Sequence, residues 1–341
     1  MKRLTAAVIG LGLGRLHANY YLQNPAVERV VVCDPDPARL DEVRHELPKL
    51  AAFHTDIATM LNEERPDIVS IVTPDHMHRA HVEQVMASGH HVLLTKPIAN
   101  SRADAEAIVT SGQASGKQLM VAHEARFRAR FQMLRQLVAE GYFGDIISVR
   151  LDSIADKRDH FAHSPWYASR EADRSVLTGT GIHEVDLVRF IVGQQASRVY
   201  ASGNHMGDLD FPRQKTVIAT IDFIGGCVAQ VGATYVARWP KAGGVPDQIR
   251  IIGTKGMVIG DRYSHDGEDE WRYLPTLGNS LEDGTKGCVD AFVDAIVNNR
   301  PVVVSGEDAL ASLTLCFAAD ESAASGQPVL IPDTEPMRTR A

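Results

Sequence analysis

The 341-residue sequence contains no apolar run close to the ~20 residues that span a bilayer, so we expect no membrane helix. It also lacks an excess of positive charge, since 35 basic and 43 acidic side chains give a net charge of −8. A nucleic-acid partner would require a basic face, and we therefore exclude this class of partner. The four cysteines are widely scattered, without the spacing of metal ligands. The N-terminus enters a strand almost at once, which leaves no room for a signal peptide, so we expect a cytoplasmic protein with reduced thiols.

The chain is too long for one comfortable hydrophobic core, so two domains are expected. Over residues 1–124, apolar strands alternate with helical patterns. This alternation predicts an α/β domain of the Rossmann type, a doubly wound parallel sheet with helices on both faces. The predicted strands are Thr5–Gly10, Arg29–Cys33, Ala51–His54, Ile68–Thr73, His91–Thr95 and Gln118–Ala122.

Residues 125–341 predict a second α/β domain with an open, largely antiparallel sheet, because their apolar residues alternate with period 2. One face of this sheet is available for helices or for another subunit, and the C-terminal helices are free to pack back on the first domain. The predicted elements are a helix at 127–140, strands at Ile146–Ser153, Ser197–His205, Lys215–Phe223, Cys227–Val236 and Gln248–Ile252, helices at Val289–Asn298 and Glu307–Ala324, and a last strand at Val329–Ile331.

A glycine-rich turn joins the first strand to the first helix, with Gly10, Gly12 and Gly14 around Leu13. Glycine is required where the chain turns tightly and a phosphate approaches the backbone without a side chain in the way. The match to G-x-G-x-x-G is imperfect, because the third glycine comes one residue early. Glycine turns between strand and helix are also common for structural reasons, so this turn indicates a dinucleotide only together with its surroundings.

An acid follows the second strand, since Asp34 comes after the glycine turn at roughly the 20-residue spacing of a ribose-binding carboxylate. A carboxylate there accepts hydrogen bonds from ribose hydroxyls and repels a 2′-phosphate, which favours NAD over NADP. The alternative is that Asp34 is a turn residue of Asp34-Pro35-Asp36-Pro37. Combined with the glycines and the strand order, Asp34 predicts a dinucleotide site.

Two further turns fall at the carboxyl edge of the same sheet, where open α/β sheets bind ligands. One contains Thr73, Pro74 and His78, and its alternative interpretation is a capped helix start. In the other, Thr95 ends a strand, and a proline after Lys96 biases the lysine towards extended geometry. Lys96 is either a surface lysine or a cation held beside the cofactor, and its position favours the second interpretation.

These motifs, in this order, resemble the glucose–fructose oxidoreductase/inositol dehydrogenase/MocA (Gfo/Idh/MocA) family over nearly the whole chain. The residues that carry the resemblance are the glycine turn with a trailing His17, Thr73-Pro74 with His78, Lys96-Pro97, Arg126-Phe127 before a helix, Gly141 and Gly144 before the second sheet, Gly181-Ile182-His183 with Asp186, and the tail Ser305-Gly306-Glu307-Asp308-Ala309.

The resemblance implies an NAD-dependent oxidoreductase that transfers hydride between nicotinamide and a secondary alcohol of a sugar, inositol or related polyol. It maps the family's lysine onto Lys96, its histidine onto His183 and a further acid onto Asp186, and it places Arg126 among the substrate contacts. It also implies a homodimer or homotetramer that associates through the C-terminal sheet. NADP is the less favoured cofactor because of Asp34.

Two departures from the family pattern remove acidic residues. The residue before the lysine is usually glutamate and is Thr95 here, and the aspartate four residues before the histidine is replaced by Gly179. Thr178, Thr180 or a hydroxyl of the substrate are candidates to compensate for the missing carboxylate. The change leaves the support of the proton acceptor open.

The chemistry needs a group that takes a proton and a group that stabilises the resulting oxygen. We expect His183 to take the hydroxyl proton, because the ordinary pKa of histidine lies near neutrality. We expect Lys96 to donate to the same oxygen and stabilise its developing negative charge. The alternative for His183 is that it merely begins an apolar helix.

An irregular segment of the second domain supplies further candidates for substrate contacts, His160, Trp166 and Tyr167. Sugars are commonly held by aromatic faces and polar groups, although the same side chains are equally compatible with a core or an interface. Tyr235 and Trp239, at the end of another strand, are weaker candidates. The 14 histidines lack a zinc-like spacing, so no metal is predicted.

Three other functions are compatible with these motifs. Some relatives keep NAD bound and use a transient oxidation to assist glycoside hydrolysis. A catalytically silent protein that senses a sugar or a cofactor would explain the absence of the aspartate at Gly179. A reductase for an unrelated carbonyl or imine is the third alternative.

Overall fold

The computed structural model describes residues 3–169, 173–239 and 249–332, and the chain divides into two compact units. Unit 1 comprises residues 1–127 and 280–310, and unit 2 comprises residues 128–279 and 311–341. Of residues 125–341, which the sequence assigns to a second domain, 125–127 and 280–310 lie in unit 1.

Unit 1 contains a six-stranded, entirely parallel sheet with the strand order β3-β2-β1-β4-β5-β6. All six predicted strands are present. This is the strand order of a dinucleotide-binding doubly wound fold, whose order reverses between β1 and β4 and leaves a crevice at the carboxyl ends of those strands. The strands are β1 Leu4–Ile9, β2 Val27–Cys33, β3 Ala52–His54, β4 Ile68–Ile71, β5 His91–Thr95 and β6 Leu119–Ala122.

Ten α-helices accompany the strands over the described residues. They are α1 Gly14–Gln23, α2 Pro37–Glu46, α3 Ile57–Glu64, α4 His78–Ala87, α5 Arg102–Ser115, α6 Ala129–Ala139, α7 Arg158–His163, α8 Ile182–Val192, α9 Leu281–Val297 and α10 Gly306–Ser325. Short 3₁₀ turns lie at Asp75–Met77, Glu124–Phe127 and Pro165–Ala168, and one π turn at Leu177–Gly181.

The starts of several unit 1 helices follow from polar caps. Asp36, Asp56 and Ser101 each accept a hydrogen bond from a backbone N–H of the first turn of α2, α3 and α5. The hydroxyl of Ser101 also donates to the carboxylate of Asp104. In contrast, the N-cap residue of α1, Leu13, provides no side-chain hydrogen bond, so the first N–H groups of α1 are left without a side-chain cap beside the glycine turn.

Unit 2 contains a nine-stranded sheet with the order β14-β13-β12-β11-β7-β10-β9-β8-β15. Only the β7–β10 pair is parallel, so the predicted largely antiparallel sheet, and with it the fold class, is confirmed. The strands are β7 Ile146–Ile154, β8 Ala196–Asn204, β9 Thr216–Phe223, β10 Val228–Thr234, β11 Arg250–Gly253, β12 Gly256–Ile259, β13 Arg262–His265, β14 Arg272–Tyr273 and β15 Val329–Leu330.

Sequence patterns missed three strands of this sheet, β12, β13 and β14. They are two to four residues long, which is too short to display a period-2 alternation against turns on both sides. The predicted start of β11 at Gln248 lies outside the described residues.

The central strands of the second sheet have one buried and one exposed face. In β9, Val217, Ala219 and Ile221 are buried, whereas Ile218 between them is 47% exposed. The buried face packs against α8, which contacts β7 and β10.

All four cysteines are free thiols and buried. Over residues 3–169, 173–239 and 249–332, no helix has the length and hydropathy needed to cross a membrane.

Candidate active site

The first glycine of the turn is held between two strands of unit 1. Gly10 has a φ of +85° and its N–H donates to the carbonyl of Cys33. A Cβ atom at this position would lie 2.7 Å from the carbonyl oxygen of Val72. Both the left-handed backbone and the close approach of the segment after β4 therefore require glycine here.

Gly12 and Gly14 each serve a different purpose in a phosphate-binding turn. A Cβ atom on Gly12 would meet no protein atom within 4 Å, so the space above this residue is open to a ligand. A Cβ atom on Gly14 would lie 3.0 Å from Cγ1 of Val8, so this glycine lets α1 pack closely on β1. The early third glycine thus still serves helix–strand packing, and Leu13 between them is 57% exposed. The open cradle and the uncapped start of α1 fit a dinucleotide pyrophosphate.

Asp34 is almost completely buried at the carboxyl end of β2. Its Oδ2 atom accepts a hydrogen bond from Leu11 N–H at 2.8 Å, and its Oδ1 atom accepts one from Asp36 N–H at 3.0 Å. The second bond is the turn predicted as the alternative role, and the first ties the carboxylate to the glycine turn. Each oxygen has a further lone pair, so the same group suits a ribose hydroxyl. The guanidinium of Arg39 lies 3.8 Å from Oδ2.

A first prediction concerns this pair. We expect Asp34→Asn to raise the KM for NAD about tenfold and to shift the NADP/NAD preference at least as much towards NADP, about 1.4 kcal/mol per tenfold. The substitution removes the charge that repels a 2′-phosphate and leaves the Arg39 guanidinium without an anionic partner. Steady-state kinetics with both cofactors measures the effect, and Asp41→Asn, an exposed acid on α2, is the matched control. An unchanged preference would contradict the role of Asp34.

The histidine that trails the turn is buried. Nδ1 of His17 lies 3.0 Å from the hydroxyl of Ser70, which also bonds the Tyr21 hydroxyl at 2.8 Å. Burial lowers the pKa of His17 to about 4, so its imidazole is neutral at physiological pH. His17 therefore presents a polar but uncharged side chain beside the glycine turn.

The turn after β4 is braced by His78, which the sequence placed in the cofactor site. The ring is fully buried, with Nδ1 3.0 Å from the carbonyl of Pro97 and Nε2 3.0 Å from the carbonyl of Thr73. His78 thus joins the Thr73-Pro74 turn to the turn after Lys96. The hydroxyl of Thr73 lies 3.1 Å from Nδ1 of His81.

Lys96 lies directly after β5, with a cis peptide to Pro97. It faces an open cleft of about 420 Å³ within unit 1. The cleft is lined by Leu13, Leu16, His17, Val72, Thr95, Lys96, Ala122, Glu124, Leu281 and Thr285. The structure therefore brings the lysine, Thr95 and the glycine turn together. The buried Glu124 was not predicted, although an acid two residues after β6 at the same sheet edge was a usable signal.

Arg126 was predicted among the substrate contacts. Its guanidinium is buried, and Nη1 lies 2.5 Å from Oδ2 of Asp308. The ion pair ties the turn after β6 to the first turn of α10 inside unit 1. The contact joins two residues that are 182 positions apart in the sequence.

His183 lies in the first turn of α8 in unit 2, directly after the π turn Leu177–Gly181. A π turn is an irregularity that recurs at functional sites. At Gly179, where the family pattern has aspartate, a Cβ atom would overlap the hydroxyl oxygen of Tyr235. This overlap is a physical reason for the absence of a carboxylate side chain at position 179.

Asp186, the second acid mapped from the family, is only 1% exposed. Its Oδ1 accepts a hydrogen bond from the Ser312 hydroxyl at 2.7 Å, and Nη1 of Arg189 donates to the same hydroxyl at 2.6 Å. Asp186 is therefore part of a buried polar network between α8 and α10. Sequence analysis did not identify Ser312, because nothing local marks a serine in an apolar helix as a partner.

The predicted aromatic candidates form one cluster in unit 2. The rings of His160 and Tyr167 are 4.5 Å apart, and those of Trp166 and Tyr167 are 4.2 Å apart. The Arg174 guanidinium lies 4.1 Å from the Tyr167 ring and 4.8 Å from that of Trp166, as cation–π pairs. Phe161 connects this cluster to Tyr235, with ring centroids 5.5 Å apart. Sequence reasoning did not single out Arg174.

A second prediction concerns Asp320 of α10, near the start of the π turn. Burial raises the pKa of this carboxyl to about 6, and a hydrogen bond from Ser175 offsets part of the shift. Because the pKa is higher in the folded than in the unfolded chain, this group makes the fold less stable as pH rises from about 4 to 6.

We expect Asp320→Asn to stabilise unit 2 at pH 7.5 by on the order of 2 kcal/mol and to change little at pH 4. Urea denaturation at the two pH values measures the difference. Asp269→Asn, at an exposed loop position, is the control and should behave like the unmodified protein at both. Equal stabilisation at pH 4 and 7.5 would contradict the assigned cause.

The fold and the cleft together define a class: a dinucleotide-binding oxidoreductase with a doubly wound domain and a second α/β domain. Two family models match the chain, an oxidoreductase family with an NAD-binding Rossmann fold over residues 4–123 and the GFO/IDH/MocA C-terminal domain over residues 131–259. The chain belongs to the GFO/IDH/MocA family of oxidoreductases, and its cofactor is NAD. The family and the cofactor predicted from the sequence are confirmed.

Two named relatives match nearly the full length of the chain. The chain is 26% identical to D-apiose dehydrogenase of Rhizobium rhizogenes, covering 96% of this chain and 98% of that protein. It is 24% identical to myo-inositol 2-dehydrogenase of Thermotoga maritima, covering 92% and 95%. The fold also resembles a levoglucosan dehydrogenase in complex with NADH and levoglucosan, with a TM-score of 0.86, 22% identity, and coverage of 97% and 100%.

Among the described residues, no group of three or more histidine, cysteine, aspartate or glutamate side chains is arranged to hold a metal ion.

Proposed function

We propose that the protein is an NAD-dependent dehydrogenase acting on a secondary alcohol of a sugar, inositol or related polyol. The single observation that carries this proposal is the position of Lys96, at the end of β5 in the same cleft as the glycine turn. The named relatives, which act on apiose, myo-inositol and levoglucosan, support the substrate class.

In the proposed mechanism, two groups of this chain act on one oxygen. The imidazole of His183 accepts the hydroxyl proton, and the ammonium group of Lys96 donates a hydrogen bond to the same oxygen while the C–O bond becomes C=O. When bound, NAD supplies the acceptor for the hydride of the carbinol carbon. Proton and hydride leave the same C–H and O–H pair, so the product is a neutral ketone.

The remaining predicted residues divide into three roles. Gly10, Gly12, Leu13, Gly14 and Asp34 would hold the cofactor, together with the turns at Thr73-Pro74 and Thr95. His160, Trp166 and Tyr167 would present aromatic and polar surface to the substrate. Arg126, His78 and Asp186 have strong internal partners, so we assign them the task of holding the site in shape.

A substrate screen tests this function. Sugars and inositols are incubated with NAD or NADP, and NADH formation is followed by absorbance. We expect turnover of at least one polyol with NAD. Glycoside hydrolysis without net NADH would instead indicate an NAD-assisted hydrolase, and NADH consumption with a carbonyl or imine would indicate a reductase. Measurable binding of NAD and sugar without any turnover would indicate a sensing protein.

We propose also that the chain forms a homodimer or homotetramer through the exposed face of the nine-stranded sheet. Tyr200 and Ile218 on this face are 46% and 47% exposed, which supports an interface there. We expect Ile218→Arg to reduce the molar mass measured by light scattering to that of a monomer. Ile224→Arg, at a turn position that is 63% exposed, is the control and should leave the mass unchanged.

We propose a cytoplasmic location, because the four cysteines are free thiols.

A further inference from the structure

We propose that the Tyr235 hydroxyl orients His183 in place of the carboxylate of the family pattern, and that position 179 is glycine to make room for it. The proposal rests on the proposed function in one respect, the role of His183 as proton acceptor. It assigns Tyr235 as a positioning residue.

The space in which a side chain at position 179 would lie is occupied by the hydroxyl of Tyr235. A Cβ atom built on Gly179 would overlap the Tyr235 hydroxyl oxygen, whereas it would lie 3.4 Å from Cζ, an ordinary van der Waals contact. The ring alone would therefore leave room for a Cβ atom at 179. The oxygen occupies the space in which an aspartate at this position would begin.

Position 179 lies four residues before His183, the spacing that brings two side chains to one face of a helix. Residues three or four positions apart in an α-helix lie about 5–6 Å from each other at their Cβ atoms, and here the two positions belong to the π turn and to the first turn of α8. The hydroxyl of Thr180 donates to the Tyr235 oxygen at 3.3 Å. With this donor in place, the phenol can direct its own hydrogen towards an imidazole nitrogen.

The phenol is held rigidly, as an orienting group must be. Tyr235 follows β10 and is buried, and its ring meets the edges of Phe161 and Phe211 at centroid distances of 5.5 Å and 5.2 Å. These contacts leave the ring little freedom, so its hydroxyl stays at one place beside the π turn.

Replacing a carboxylate by a phenol keeps the orientation and removes the charge. An adjacent carboxylate raises the pKa of histidine, whereas a neutral phenol does not. The other charged groups nearby are Arg174, whose Cδ would lie 3.9 Å from a Cβ at 179, Asp320 through Ser175, and Glu184 and Asp186 on α8. The Arg174 cation also disfavours an imidazolium. His183 should therefore remain a neutral base to a lower pH than with aspartate at 179.

Four proteins test the pair: the unmodified chain, Tyr235→Phe, Gly179→Asp and the double variant. We expect Tyr235→Phe to lower kcat about 10- to 100-fold with KM nearly unchanged. Gly179→Asp alone should unfold at lower temperature because its side chain meets the hydroxyl. The double variant should regain both stability and most of kcat, with the acid limb of its pH–rate profile about one unit higher.

Two controls separate the possible causes. Tyr142→Phe, which removes a hydroxyl bonded to Glu268 in the same unit, should leave kcat unchanged. The pH–rate profiles are also repeated in the Asp320→Asn background, because the Asp320 carboxyl has a pKa of about 6 and could itself shape the acid limb. Equal kcat and equal pH profiles for the unmodified protein and Tyr235→Phe would overturn the proposal.

A readout without turnover keeps the proposal independent of the substrate. The pKa of His183 can be followed by NMR of labelled histidine, with the signal assigned by His183→Asn. We expect the value in the double variant to exceed that of the unmodified protein by about one unit. If no protein oxidises a polyol but this shift is present, the proposed function fails and the pairing stands. An unshifted His183, with Gly179→Asp as stable as the double variant, would overturn the pairing.

Discussion

Lys96→Met is expected to lower kcat about a thousandfold, while the affinity for NAD changes by less than about threefold. The reason is electrostatic, because in the proposed mechanism the ammonium group donates to the oxygen whose negative charge develops as its proton leaves. A donor aimed at such an oxygen contributes roughly 3–4 kcal/mol to the rate, which corresponds to a factor of 10² to 10³. Methionine keeps the length and the apolar stem of lysine, so the cleft of unit 1 should keep its shape.

Initial rates with the polyol found in the substrate screen measure the loss, and fluorescence titration with NADH measures cofactor affinity separately. Lys49→Met, an exposed lysine of unit 1, is the matched control and should retain full activity. A Lys96→Met protein with near-normal turnover and normal cofactor binding would refute the catalytic role of Lys96. Loss of cofactor binding without loss of kcat at saturation would assign Lys96 to the dinucleotide instead.

His183→Asn is expected to lower kcat by about 10³ and to flatten the acid side of the pH–rate profile. General bases contribute typically 10² to 10⁴, and asparagine cannot accept a proton at these pH values. In the unmodified protein, activity should fall at low pH because the protonated imidazole cannot take the hydroxyl proton. Without the imidazole, that limb should disappear.

Isotope effects separate this loss from a structural defect. With a substrate deuterated at the carbinol carbon, the kinetic isotope effect on kcat should grow in His183→Asn, because the chemical step becomes limiting. His205→Gln, an exposed histidine in a loop of unit 2, is the control and should match the unmodified protein in rate and isotope effect. A variant that loses activity together with its thermal stability, and shows no change in isotope effect, would speak against a proton-accepting role.

Local sequence patterns were sufficient to predict the parallel sheet of unit 1 and the residues at its carboxyl edge. The six strands of the parallel sheet and the glycine turn are visible because they follow period, turn chemistry and spacing within a few residues. The position of Lys96 after β5 follows from the same rules, because the carboxyl ends of parallel strands share one edge.

The weaker parts of the prediction are those that depend on short elements or on distant partners. The strands β12 to β14 have too few residues to show a period. Arg126 and Asp186 match family positions in sequence, yet the structure pairs them with Asp308 and Ser312, far along the chain. A motif identifies a residue type at a position and does not reveal which distant side chain meets it.

The sequence by itself determined the class of fold and the cofactor through local periodicity and turns, and the order of its motifs carries the family resemblance that implies the two residues proposed for catalysis. Only the tertiary structure decided what surrounds them. Tyr235 lies 55 positions from Thr180, and its contact with the π turn exists only because β10 returns the chain beside the start of α8. Such contacts follow from how strands and helices pack, so the reason that Gly179 replaces an acid became visible only when the two segments were seen together.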